Sequence, residues 1–163
     1  MNKLFVKNGI ILSLIYILLT LILFIVNLDM EQWAKWIVLC ITFIFIILFV
    51  KFQADELTEQ EATFSTLFKN GFFTSLVFTS IICVFMVLYV SVIDVHFYQK
   101  IEDLARTKMM EENISEEKIE DMLKLSKTYM TIPFLLFSTF LSNIITCNLG
   151  NLIGALIFRK DKN

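Results

Sequence analysis

Amide side chains inside an apolar stretch are the first chemistry this chain offers. The segment "SNIITCNLGNLIGALIFRK", Ser142 to Lys160, reads as membrane-spanning yet holds Asn143, Asn148 and Asn151 together with Gly150 and Gly154. An amide in hydrocarbon requires a hydrogen-bond partner. On a helix, Asn143 and Asn151 fall on roughly one side with Cys147 between them, and Asn148 is displaced around the axis. They could form a polar track for an ion or a lipid headgroup. They could equally bond Ser75, Thr79, Ser80 or the backbone of neighbouring helices. Asparagine is neutral and cannot relay protons as a carboxylate does. Polar bonds between membrane helices contribute only about 1 kcal/mol each and commonly serve as glue, so the structural reading is preferred.

Other candidate groups carry less. His96, the one histidine, stands between Asp94 and Tyr98 in "SVIDVHFYQK", but helical residues two apart do not face each other. Glu111, Glu112, Glu116, Glu117, Glu120 and Asp121 form an acidic cluster without the ordered carboxylate-and-glycine spacing of a calcium loop, so a solvated helix face is expected. Cys40, Cys83 and Cys147 lie in apolar stretches without metal-ligand spacing and read as small core residues. There is no HExxH and no glycine-rich phosphate loop. The expectation is a chain with no catalytic residue, no cofactor and no metal, and not an enzyme. A net charge of -2 and the lack of a basic stripe argue against a nucleic-acid partner.

The elements that must position these residues follow from composition. Of 163 residues, 57% are apolar, with only four Gly and one Pro; one soluble core of this size could not hide so much apolar surface. A span needs about 20 mostly apolar residues. Four segments qualify, at about 9–28, 33–52, 71–93 and 132–158, and in lipid each must be a helix. Trp33 and Trp36 stand where interfacial anchors belong. Pro133 falls in the first turn of the fourth span, where a missing N–H does little harm. The first run is too long for an ordinary signal core and lacks a cleavage motif, so it reads as a retained span. The fold class is thus an all-α integral membrane protein, a single domain over 1–163. Four transmembrane helices are joined by short connectors, except for an extramembrane helical hairpin at about 94–131.

Within the second connector, Thr58 and Glu61 have capping-box spacing, which predicts a helix starting there. Phe64, Leu67, Phe68 and Phe72 share a face that belongs either to an interfacial helix or to the start of span three. In the hairpin, Phe97, Ile101, Leu104 and Ala105 share a face. Ser115 then caps a second helix, with Glu116 and Glu117 at its positive end and Ile114 and Ile119 at staple positions. Ile119, Met122, Leu123 and Met130 continue the apolar face, and this helix is expected to run into span four with a bend near Pro133. Lys3, Lys7, Lys51, Lys69, Arg159, Lys160 and Lys162 cluster at one set of span ends; Lys35, Lys100 and Lys127 lie near the other. The expectation is both termini in the cytoplasm and the hairpin outside.

Two ladders of small residues recur every fourth position: Gly71, Ser75, Thr79 and Cys83 on span three, and Ser138, Ser142, Thr146, Gly150 and Gly154 on span four. Such ladders allow close backbone approach where hydrophobic drive is weak. They predict that the two spans pack together or that each packs on another copy. No Asp, Glu, Lys, Arg or His lies deep within a predicted span, and no paired broken helices interrupt them, which weakens a transporter reading.

The basic start, "TFSTLFKNGFFTSL" entering span three, "MMEENISEEKIEDM" in the hairpin and "GNLIGALIFRK" at the end together resemble the small bacterial membrane proteins grouped as domain-of-unknown-function family 4199. The resemblance covers nearly the whole chain. It implies four spans and an inner-membrane location, and it supplies no activity or catalytic residue. The functional expectation is a non-enzymatic accessory or scaffold subunit working through helix packing. Its partners would be membrane lipids and either a second copy or another membrane protein. The alternative is a lipid-handling or small-solute transport component with a polar path along span four.

Overall fold

The computed structural model describes residues 3–58 and 60–160. Its order is α1 (Lys3–Ile25), α2 (Gln32–Glu56), α3 (Phe64–Leu88) ending in a π-helical turn (Tyr89–Ile93), α4 (Phe97–Glu111), α5 (Glu116–Lys127) and α6 (Ile132–Phe158). The protein is all-helical, and α1, α2, α3 with its π turn, and α6 are each long and apolar enough to cross a membrane. Lys162 lies outside the described residues.

The helices reach beyond the hydropathy limits because protein, not lipid, packs their ends. α2 continues past Phe52 through Gln53 and Ala54, both almost fully buried. Val50 and Ala54 meet Leu67 of α3 and Ala155 of α6, with Phe64, Phe68 and Phe158 around them. The Phe64–Phe68 face is therefore the first turns of span three, not a separate interfacial helix. Its start also corrects the expected cap. Glu61 Oε2 does accept from the Thr58 amide and hydroxyl, at 3.3 and 2.8 Å, but the chain turns there. The helix begins only at Phe64, capped by Thr63 Oγ1, which accepts from the Thr66 amide. The loop is held from the far end of the chain: the Lys160 amide donates to Ala62 O at 2.9 Å, and its ammonium to Leu57 O at 3.0 Å.

Two helix ends use asparagine in the left-handed region where glycine is commoner. Asn27 (φ 56) follows α1 and Asn113 (φ 58) follows α4. In each case the next residue's amide reaches back five positions, Leu28 to Leu23 O and Ile114 to Met109 O. This is the Schellman closure of a helix C-terminus.

By contacts the chain forms two compact units, Met1–Ile82 with Phe140–Asn163, and Cys83–Thr139. In the first, a Cβ placed on Gly9 of α1 would stand 2.8 Å from Val77 of α3, and Gly150 and Gly154 of α6 lie against Ile46 and Val50 of α2. In the second, α4 and α5 form a hairpin whose buried side chains on α5 are Ile119 and Leu123. Met122 and Leu104, expected on the apolar faces, are exposed at 49% and 36%. Ser115 holds the extended N-cap backbone, but its hydroxyl makes no capping bond. α5 does not run into α6: it ends at Lys127 and the chain turns through 128–131. Pro133 then sits in the first turn of the new helix, where its missing N–H is harmless.

Candidate functional site

Within the first unit, polar side chains are buried among apolar helices: Asn8 and Ser13 of α1, Gln53 of α2, Thr74, Ser75 and Thr79 of α3, and Asn151 of α6. Asn151 is the hinge of this seam. Its Nδ2 donates to Ser75 Oγ at 2.8 Å, and the Ser75 hydroxyl donates in turn to Gly71 O at 3.0 Å. A Cβ on Gly71 would fall 2.6 Å from the Asn151 amide group, so only glycine leaves room for that side chain. Gly71 and Ser75 thus make one receptacle for Asn151. Nearby on α3, Thr74 accepts a long bond from Gln53 Nε2 at 3.5 Å and donates to Asn70 O. The Ser13 hydroxyl donates within its own helix to Gly9 O at 2.7 Å.

The ladders do not mate with each other. The span-three ladder receives Asn151, while the span-four ladder seats on α2 only through Gly150 and Gly154. Thr146 is half-buried, and Ser138 and Ser142 are exposed. Thr79 is fully buried with its hydroxyl unpartnered. Cys83 belongs to the second unit, its sulfur 3.9 Å from Leu136 O. The three asparagines diverge: Asn151 is buried, Asn148 Nδ2 donates to Ile144 O of its own helix at 2.7 Å, and Asn143 is half-buried. Cys147, between Asn143 and Asn151, is buried with Asn151.

Sequence reasoning missed Asn8 and Gln53, both less than 6% exposed. Each lies one residue beyond a hydropathy limit, where polar side chains are ordinarily solvated. Beyond the Gln53 contact with Thr74, both leave atoms without a partner: Asn8 Nδ2 and Gln53 Oε1 join Thr79 Oγ1 and Asn148 Oδ1. The polar residues at the tips of α1 and α2 were the available signal.

The second unit carries different chemistry. Asp94, only 3% exposed, follows the π turn, and its carboxylate meets Lys100 Nζ at 2.9 Å. Arg106 of α4 bridges Glu116 and Glu120 of α5, and Lys127 pairs with Glu102 at 3.0 Å. The bond to Glu120, then its charge, raises the Arg106 pKa above its ordinary value. Two members of the acidic cluster are therefore spent on an ion pair across the hairpin. Among the described residues no three His, Cys, Asp or Glu converge as a metal set. His96 is exposed just before α4. A cavity of about 300 Å³ lies between α4, the turn after α5 and the start of α6. Tyr98 lines it; its hydroxyl is buried without a partner, and burial raises the phenol pKa.

With this geometry in place, the comparisons add one match. The family described as Protein of unknown function (DUF4199) matches residues 7–160. No curated protein and no solved structure matches the chain.

Proposed function

The chain belongs to the DUF4199 family, and on that premise we propose that it is a non-enzymatic accessory or scaffold subunit of a bacterial inner membrane that acts through helix packing. The observation that carries this reading is the Asn151–Ser75–Gly71 seam. The most suggestive amide of span four is consumed in joining two helices, and Asn148 is consumed by its own backbone. Neither presents a free donor set to a substrate. The partner is a second copy or another membrane protein, with bilayer lipid around it.

Purification in a gentle detergent, followed by size analysis and identification of bound proteins, tests the proposal. A defined oligomer or a stoichiometric membrane partner is the expected outcome. A lone monomer that moves solute or lipid across reconstituted vesicles would overturn it. That outcome would favour the alternative, a transport or lipid-handling component with a polar path along span four. The unpartnered atoms of Asn8, Gln53, Thr79 and Asn148 are what speak for such a path.

The same proposal places both termini in the cytoplasm and the α4–α5 hairpin outside, because Lys7, Lys51, Lys69, Arg159 and Lys160 gather at one set of helix ends. A cysteine at the hairpin tip reports this. Glu112→Cys is preferable to a change at Asn113, whose left-handed backbone disfavours other residues. In a background lacking Cys40, Cys83 and Cys147, it should react with an impermeant thiol reagent in intact cells. A Lys162→Cys variant should react only after lysis. The reverse pattern inverts the topology.

A further inference from the structure

The cavity of the second unit has walls of carbon. Phe97, Tyr98 and Ile101 of α4 face it, with Tyr129 and Met130 of the turn after α5 and Phe134 of α6. No charged side chain lines it. The two serines that do are turned to their own backbone, Ser126 donating to Leu123 O and Ser138 to Leu135 O. Such a wall gives water too few partners to hold it and gives a charged ligand no counter-ion. A volume of about 300 Å³ is at the lower end of small-molecule sites.

What fills it is decided by where it opens. Phe134, 45% exposed, lines the cavity and also belongs to the outer surface of α6, where Phe137 is exposed at 64%. α6 is one of the four membrane-length helices, so that surface is bathed in acyl chains. Tyr129 and Phe134 pair with ring centroids 5.5 Å apart and form the lip. Tyr129 is 54% exposed, just before the span begins, the level at which aromatic residues meet lipid ester groups. We infer that the cavity is a site for one acyl chain of a bilayer phospholipid, entering past Tyr129 and Phe134 and lying against Phe97, Ile101 and Met130. The site stands on the second unit alone and does not depend on the packing role proposed for the first.

The test uses the full chain in vesicles of phosphatidylethanolamine and phosphatidylglycerol doped with a phospholipid carrying a diazirine at one acyl terminus. After photolysis, labelled peptides are mapped by mass spectrometry. Labelling at 97–101 and 129–138 is expected to exceed, several-fold, that at Leu14 and Leu18 of α1, which are 60% exposed and report ordinary lipid contact. Ser138→Phe, made at an exposed lining position, should reduce cavity labelling to the α1 level while the α1 labels stay constant. Equal labelling of cavity and α1 in the wild-type protein would overturn the site without recourse to any variant. So would a cavity label that survives both Ser138→Phe and the independent filling variant Ile101→Trp. Displacement of the label by soluble tetraethylammonium, but not by unlabelled phospholipid, would overturn it in favour of an organic-cation pocket.

Discussion

The two units hold their helices together by opposite chemistry. In the first, contact is made by removing side chain: Gly9, Gly71, Gly150 and Gly154 each let a neighbour within about 3 Å of where a Cβ would stand, and one amide bond, Asn151 to Ser75, crosses the gap. In the second, the hairpin is joined by apolar Ile119 and Leu123 beneath Arg106, Glu116 and Glu120 at the surface. The difference follows from solvent. Among acyl chains there is little hydrophobic drive, so close packing and interhelical hydrogen bonds must supply it. In water, apolar burial supplies the drive, and exposed ion pairs add orientation more than stability.

The comparison is broken most sharply at Gly154. A Cβ there would lie 2.9 Å from Val50 Cβ, on a branched side chain that cannot swing aside. Gly154→Leu is expected to cost at least the roughly 1–3 kcal/mol of overpacking, read as a large fall in thermal midpoint in detergent. Wild-type stability in this variant would refute packing by close approach.

A double-mutant cycle of Ser75→Ala and Asn151→Ala isolates the crossing bond. A coupling of about 0.6–1.7 kcal/mol is expected, the range for polar pairs between membrane helices. Zero coupling would mean that the seam is held by shape alone.

Next comes Asn113. Its φ of 58 suits Asn or Gly, and a β-branched residue there costs about 1–2 kcal/mol. Asn113→Val should therefore raise hydrogen exchange across α4 and α5, and Asn113→Gly should not. Equal exchange in both would show that the hairpin does not depend on this closure.

The smallest effect belongs to Arg106→Gln. It should slightly loosen the hairpin at low ionic strength, and the difference should vanish at high salt, because the pairs with Glu116 and Glu120 are exposed and screened. The Asn151 cycle should be salt-independent. If both responses to salt were alike, the contrast between the units would fail.

The spans were legible because lipid leaves the backbone little choice. The hairpin was legible because Ser115, Glu116 and Glu117 mark a helix start at any depth. What escaped were features that depend on a neighbour. Lys160 looked like a topogenic charge, yet its ammonium satisfies Leu57 O. Thr58 and Glu61 have capping spacing, but Thr63 has the cap. Asn151 was visible as a candidate for glue, whereas the pairing of the span-four glycines with α2 was not. A ladder of small residues announces a contact without naming its partner.

The π turn at Tyr89–Ile93 has a consequence in phase. Its closing bond, Asp94 amide to Tyr89 O at 2.7 Å, spans five residues where an α-helix spans four. One residue is in effect surplus, and the helix absorbs it by widening. Deleting exposed Ser91 would let the turn tighten into ordinary α geometry. Everything after it would advance by about 100° around the axis. Asp94 would leave its buried berth beside Lys100, and the edge-on contact between Tyr89 and Phe97, now 5.9 Å between ring centres, would be lost. A change of one residue in length there is therefore a rotation of everything that follows, and the chain carries that rotation as a stored insertion.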